Sequence, residues 1–180
     1  MKPIGPLMRE HRLIERLVSL MKAETEKISR TGEAEPEFIT GAVDFFRTYA
    51  DRTHHGKEED ILFRDLAKKP LSPELKRIMD ELVAEHVYGR KTVGRLVEAK
   101  ERYVKGDKAA AAEVADILKE LTDFYPKHIE KEDKHFFYPC QELFDRQEMD
   151  AMLEEFREFD RQVIHWKYLQ VVEDMEGRKG

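Results

Sequence analysis

The sequence predicts an all-α protein: an antiparallel up-down four-helix bundle over residues 1–140, followed by an additional C-terminal helical extension over 141–180. Three observations lead there. Apolar residues recur at three- and four-residue steps through five long segments, the pattern of helices with one buried stripe. No strand alternation or hairpin dipeptide such as Asn-Gly separates them. Charged residues make up 39% of the 180 and hydrophobic residues 41%, a balance that suits long amphipathic helices packed together.

The first helix is expected from about Leu7 to Ser29, between Pro6 and Thr31-Gly32, with Leu7, Ile14, Val18 and Met21 on its stripe. The second starts at Pro36, a residue favoured at the first helical position, and reaches about Lys68. Lys69-Pro70-Leu71-Ser72-Pro73 then breaks the chain, with Ser72 placed to cap the third helix and Pro73 to open it. Leu75, Met79, Leu82, Gly89, Val93 and Leu96 form the third stripe, which ends at Gly106-Asp107. The fourth helix starts near Lys108, carries Val114, Leu118, Leu121 and Tyr125, and is expected to stop at Pro139. Pro126 predicts a kink rather than an end, because the apolar phase continues past it. The fifth, from about Arg146 to Met175, has Met149, Met152, Phe156, Phe159, Val163 and Trp166 in phase. It is expected either to cover the bundle or to present an aromatic face to a second copy in a homo-oligomer.

Lys and Arg total 32 against 38 Asp and Glu, a net charge of −6 that does not suit nucleic-acid binding. No apolar run approaches the ~20 residues of a membrane span, so no membrane partner is expected. The opening MKPIGPLMREHRLIE lacks the apolar core of a secretory signal. Cys140, the single cysteine, permits no intrachain disulfide and reads as a small apolar filler. A cytoplasmic location follows as an expectation.

The interruptions of the stripes carry the chemistry. The first reads Leu7, His11, Ile14, Val18; the third Leu82, His86, Gly89, Val93; the fourth Leu121, Tyr125, His128, Glu132; the second Phe46, Ala50, His54, Glu58, Leu62. Four helices therefore turn ligand-type groups inward. His54-His55-Gly-Lys-Glu58-Glu59 and His128-Ile-Glu-Lys-Glu132-Asp133 are visibly alike, and the spacing repeats: His11 to His86 is 75 residues, His54 to His128 is 74 and Glu58 to Glu132 is 74. Two related hairpins would bring His11, His54, Glu58, His86, His128 and Glu132 to one mid-bundle volume. Two unpaired buried carboxylates would cost several kcal/mol or neutralise, and a pair of cations removes that penalty. Imidazole and carboxylate without thiolate suit iron, with manganese or zinc as substitutes. Two six-coordinate ions offer about twelve positions. Two bridging glutamates, four imidazoles and an oxo or hydroxo bridge leave about two of these for solvent or a small ligand.

These motifs resemble the hemerythrin-like (HHE cation-binding) family: His11 beside Glu10 and Arg12, His54 and Glu58 within HHGKEEDILF, His86 in EHVYGR, and His128 and Glu132 in HIEKEDKHFFYP. The resemblance spans roughly residues 7–139. It implies a carboxylate-bridged non-haem di-iron centre in a four-helix bundle and the handling of a small diatomic or oxidant (O₂, NO or peroxide) in sensing, stress response or iron storage. An oxidase or peroxidase, or a helical adaptor with a structural metal, are the other readings. Oxygen carriers of the family place a His-x-x-x-His pair on the third helix; here the pair is His86 and Arg90, and guanidinium does not ligate iron. The four-histidine set therefore stands closer to family members linked to nitrosative stress and iron–sulfur repair than to reversible carriers.

Arg90 is expected to turn to Glu59 or Asp133, both placed to orient a ligand imidazole or the Lys57 and Lys131 side chains. His55 has the same spacing to Glu59 as His54 to Glu58 and is the alternative ligand; its counterpart Ile129 favours His54. Tyr125 shares the phase of His128 and is the tyrosine expected nearest the centre, ahead of Tyr49 and Tyr88. His135 and His165 read as surface residues.

Overall fold

The computed structural model describes residues 2–177, apart from the side chains of 165 and 168–177, and its regular structure is helical throughout. Five helical rods follow in order: α1 (Ile4–Thr31), α2 (36–66), α3 (Pro73–Val104), α4 (110–141) and α5 (Arg146–Gly177). His165 lies outside the described side chains.

The local signals act as their chemistry dictates. Gly32 takes φ 72°, which spares a side chain the left-handed penalty, and its N–H closes α1 on the Ile28 carbonyl at 2.7 Å. Ser72 is extended, its hydroxyl accepting from the Leu75 N–H at 3.2 Å, and Pro73 opens α3. Helix α4 runs through Pro126. It also runs past Pro139, where an end was expected. Phe136, at φ −115°, breaks the regular winding, and Pro139 falls in the first turn of the restarted Phe137–Gln141 segment, where a missing N–H costs little.

Rods α2 and α4 share a second irregularity. Phe46–His55 and Glu58–Phe63 in α2, and Lys131–Phe136 in α4, wind as π-helix. Such turns are rare and concentrate at functional positions. Here they coincide with the two related motifs.

Rod α1 packs along α4, α4 along α3, and α2 touches both α1 and α3. The interior divides into two apolar clusters, one built on Val18, Met21, Phe46, Val93 and Leu121, the other on Leu7, Leu62, Leu82, Phe136 and Phe156. His11 sits between Leu7 of one and Ile14 of the other, and His86 between Leu82 and Val93, so the polar residues form a layer between two apolar ones. Part of the described stripe of α5 packs on its own chain: Met152 and Phe156 are buried in the second cluster, Val163 is buried, and the Arg52 guanidinium lies 4.3 Å over the partly exposed Trp166 ring. Among the described residues no helix is long and apolar enough to cross a membrane.

Cys140 is fully buried in the second cluster, and burial pushes its thiol up to about 12. Only roughly one thiol in ten thousand would then be thiolate at pH 8, the form that reacts. A disulfide reagent such as DTNB should therefore leave native protein essentially unlabelled over an hour and modify one thiol per chain in denaturant.

Candidate metal centre

Every histidine on an inward stripe reaches the polar layer. His11, His54, His86 and His128 are at most 2% exposed, and Glu58 and Glu132 are fully buried. His55 joins them at 3%. Their donor atoms converge in two groups: His11, His54, Glu58 and Glu132 in one, His55, His86 and His128 in the other, with the atoms of each group within 4.8 Å of one another. Glu58 and Glu132 also reach the second group, since His86 Nε2 lies 3.4 Å from Glu58 and 3.7 Å from Glu132, and His128 Nε2 lies 3.4 Å from Glu132.

The alignment of the two halves leaves His55 outside this set, opposite Ile129; the structure turns it inward. Consecutive side chains of an α-helix diverge by about 100°. A π-turn holds more residues, so His54 and His55, at the end of the π-helical Phe46–His55 run, both face the interior. The His55 ring stacks on His86 with centroids 3.9 Å apart.

The outer nitrogens explain how the rings are held. Nδ1 of His11 meets Asp133 at 2.7 Å, that of His54 meets Glu10 at 2.9 Å, that of His86 meets Glu59 at 2.7 Å and that of His128 meets Glu85 at 2.8 Å. His55 Nδ1 has a longer contact to Asp51, 3.4 Å. A carboxylate only accepts, so Nδ1 carries the proton in each pair and the lone pair of a neutral ring is left on Nε2, facing inward.

Each orienting carboxylate is in turn held by a cation: Asp133 by Arg12, Glu10 by Lys57, Glu85 by Lys131, and Asp51 and Glu59 by Arg90 at 2.6 and 2.7 Å. Glu59 and Asp133 thus orient imidazoles, as the sequence suggests, and Arg90 selects Glu59 together with Asp51. Lys57 and Lys131 bind Glu10 and Glu85 instead of Glu59 and Asp133. Sequence reasoning missed Glu10, Glu85 and Asp51, although the repeated dipeptides Glu10-His11 and Glu85-His86 were a usable signal.

Tyr125 is buried with its ring centroid 6.4 Å from that of His128. Tyr88 is 41% exposed and bonded to Glu120, and Tyr49 packs on Phe45, so neither faces the layer. His135 is exposed.

Inside the ring of oriented imidazoles, polar satisfaction fails. Nε2 of His11, His54, His55, His86 and His128 and all four oxygens of Glu58 and Glu132 are buried without a hydrogen bond. His11 Nε2 lies 3.1 Å from Glu132 Oε2 with no hydrogen bond formed between them. Nine orphaned buried atoms in one layer run against the rule that such groups are paired. Their acidities pull apart accordingly. Burial holds the Glu58 carboxyl well above the usual range, reinforced by the Glu132 charge. Burial acts the same way on Glu132 but is outweighed by His128, His11 and His86, which hold it low. His54 is driven down to about 4 by burial and by His11. His11, despite burial, is raised to about 9 by Asp133 and Glu132. A donor set of imidazoles and carboxylates, convergent, without hydrogen bonds on the inner side and braced from behind, fits a pair of cations.

Residues 2–140 match the family described as the hemerythrin HHE cation-binding domain. No curated protein and no solved structure matches the chain.

Proposed function

Since the chain belongs to the hemerythrin HHE cation-binding family, we propose that α1–α4 form its antiparallel four-helix bundle and hold two iron-class ions that bind or react with a small oxidant such as O₂, NO or peroxide. The nine orphaned donor atoms carry this reading. His11 and His54 would hold one ion and His55, His86 and His128 the other, with Glu58 and Glu132 shared between them. Iron would supply redox chemistry at such a pair; manganese or zinc would fill the same donors without it or with less of it.

The chain's own contribution is to present five Nε2 lone pairs in fixed directions, through carboxylates whose charge Arg12, Lys57, Arg90 and Lys131 balance. His11 and His54 supply two imidazoles where His55, His86 and His128 supply three, so the first group would leave more room for an outside ligand. A fifth imidazole also changes the comparison with oxygen carriers: His55 from α2 takes up the role that Arg90, one turn beyond His86, does not.

Two measurements test the reading. Anaerobic addition of Fe(II) followed by air should give two ions per chain and near-ultraviolet absorption; binding of zinc alone, with no optical change, would favour a structural metal. His55→Ala should lose at least half of the bound metal, whereas an unchanged stoichiometry would return His55 to a spectator role.

A further inference from the structure

A cavity of about 230 Å³ opens between α2 and α3 and reaches down to His55. Its mouth is polar, bordered by Arg47, Asp51 and Arg90, and its interior is formed by Phe46, Val93, Gly89 and Tyr125. Phe46, Val93, Tyr125 and His55 are each less than 5% exposed, so the cavity penetrates the core rather than denting the surface. It is larger than the roughly 150 Å³ apolar void that suffices for benzene or xenon.

Two features show what it is built to hold. The Tyr125 hydroxyl faces this space and makes no hydrogen bond among the described residues, although the side chain is 98% buried by its 2% exposure. Its oxygen is not sealed in the protein but open to the cavity, and it is free to donate to whatever enters. At the mouth Arg90 is already used, donating to Asp51 at 2.6 Å and to Glu59 at 2.7 Å, and Arg47 stands exposed at the rim rather than in the interior. An ion entering the Phe46–Val93–Tyr125 interior would be desolvated without compensation. Gly89 supplies the room: a Cβ there would just touch the Tyr125 hydroxyl and the Phe124 ring, both at 3.7 Å, and a longer side chain would extend into the cavity.

We propose that this cavity admits and docks a small uncharged molecule with a hydrogen-bond-accepting atom, held by the Tyr125 hydroxyl beside His55 and kept accessible by Gly89. Onward passage from the His55 side to the position between His11 and His54 rests on the dinuclear reading above; the occupancy of the cavity does not.

The test uses zinc-loaded protein, which is diamagnetic and redox-inert, and acetonitrile as a neutral probe of three heavy atoms. Wild type should show saturable NMR shifts at the Val93 methyls and the Tyr125 ring, with no shift at Leu62 or Leu82 of the other cluster. Gly89→Leu should abolish them. Val93→Phe, which fills the cavity from the next turn of α3, should do the same if Gly89→Leu fails to fold. Tyr125→Phe should weaken binding at least threefold while Val93 still responds. Absent or unsaturable shifts in wild type, or shifts unaffected by both filling variants, would overturn the proposal. Metal analysis of the same samples reads the dinuclear site separately: protein that holds no metal pair but binds acetonitrile refutes that reading and leaves the cavity assigned.

Discussion

Glu58→Ala or Glu132→Ala should empty both metal positions, leaving less than half an ion per chain. Each glutamate lies against donors of both histidine groups, so each substitution removes a ligand from two ions at once. A ligand present at a hundred times its dissociation constant stabilises the folded state by about 2.7 kcal/mol. Its loss lowers the melting temperature of a chain of this size by roughly 5–10 °C. The metal-free variants themselves need not be weaker than metal-free wild type, because each removes a buried carboxylate that lacks hydrogen bonds. The pH dependence of metal uptake has a definite sign. In the metal-free chain His11 stays protonated up to about 9, and that proton must leave before Nε2 can bind a cation. Apparent affinity should therefore rise with pH until about 9, with proton release on binding measurable in weakly buffered solution.

Lys57→Met should cost about 3 kcal/mol, the lower end for stripping a partner from a buried charge, because Glu10 is largely buried while Asp160 is partly exposed. Lys57 is fully buried between Glu10 and Asp160, the latter 2.8 Å away on α5, and its ammonium stands 5.8 Å from the Phe156 ring. Its repeat counterpart Lys131 makes the corresponding contacts to Glu85 and Glu81 but is 27% exposed. Lys131→Met should cost less than about 1 kcal/mol, because solvent screens that network. The difference comes from α5: Phe159 lies so close to Gly56 that a Cβ there would stand 2.7 Å from its ring, and the helix seals Lys57 beneath it. Chemical denaturation of the two variants checks this, and equal midpoints would show that α5 does not seal this side.

The sequence was most informative where the repeat was clean. The 74–75 residue offsets located six of the seven polar side chains that meet in the layer, because each of the six interrupts an inward apolar stripe. Helix starts at Pro36 and Pro73 were legible because proline and serine act locally. His55 was not, since its inward turn depends on π-helical winding that hydrophobic periodicity assumes away. The run past Pro139 was hidden for a related reason: only the backbone at Phe136 shows that the helix restarts. Glu10 and Glu85 escaped notice because each serves a histidine 43 or 44 positions away rather than its neighbour, a pairing set by how the rods pack.

The most direct test of the central claim is an anomalous-difference map at the iron edge from crystals of iron-reconstituted protein. Two peaks per chain are expected, roughly 3.5–4 Å apart as in two-metal sites. One should lie within bonding distance of Nε2 of His11 and His54, the other of His55, His86 and His128, with Glu58 and Glu132 reaching both. A single peak, or iron bound outside the layer while these nine atoms remain unliganded, would contradict the account.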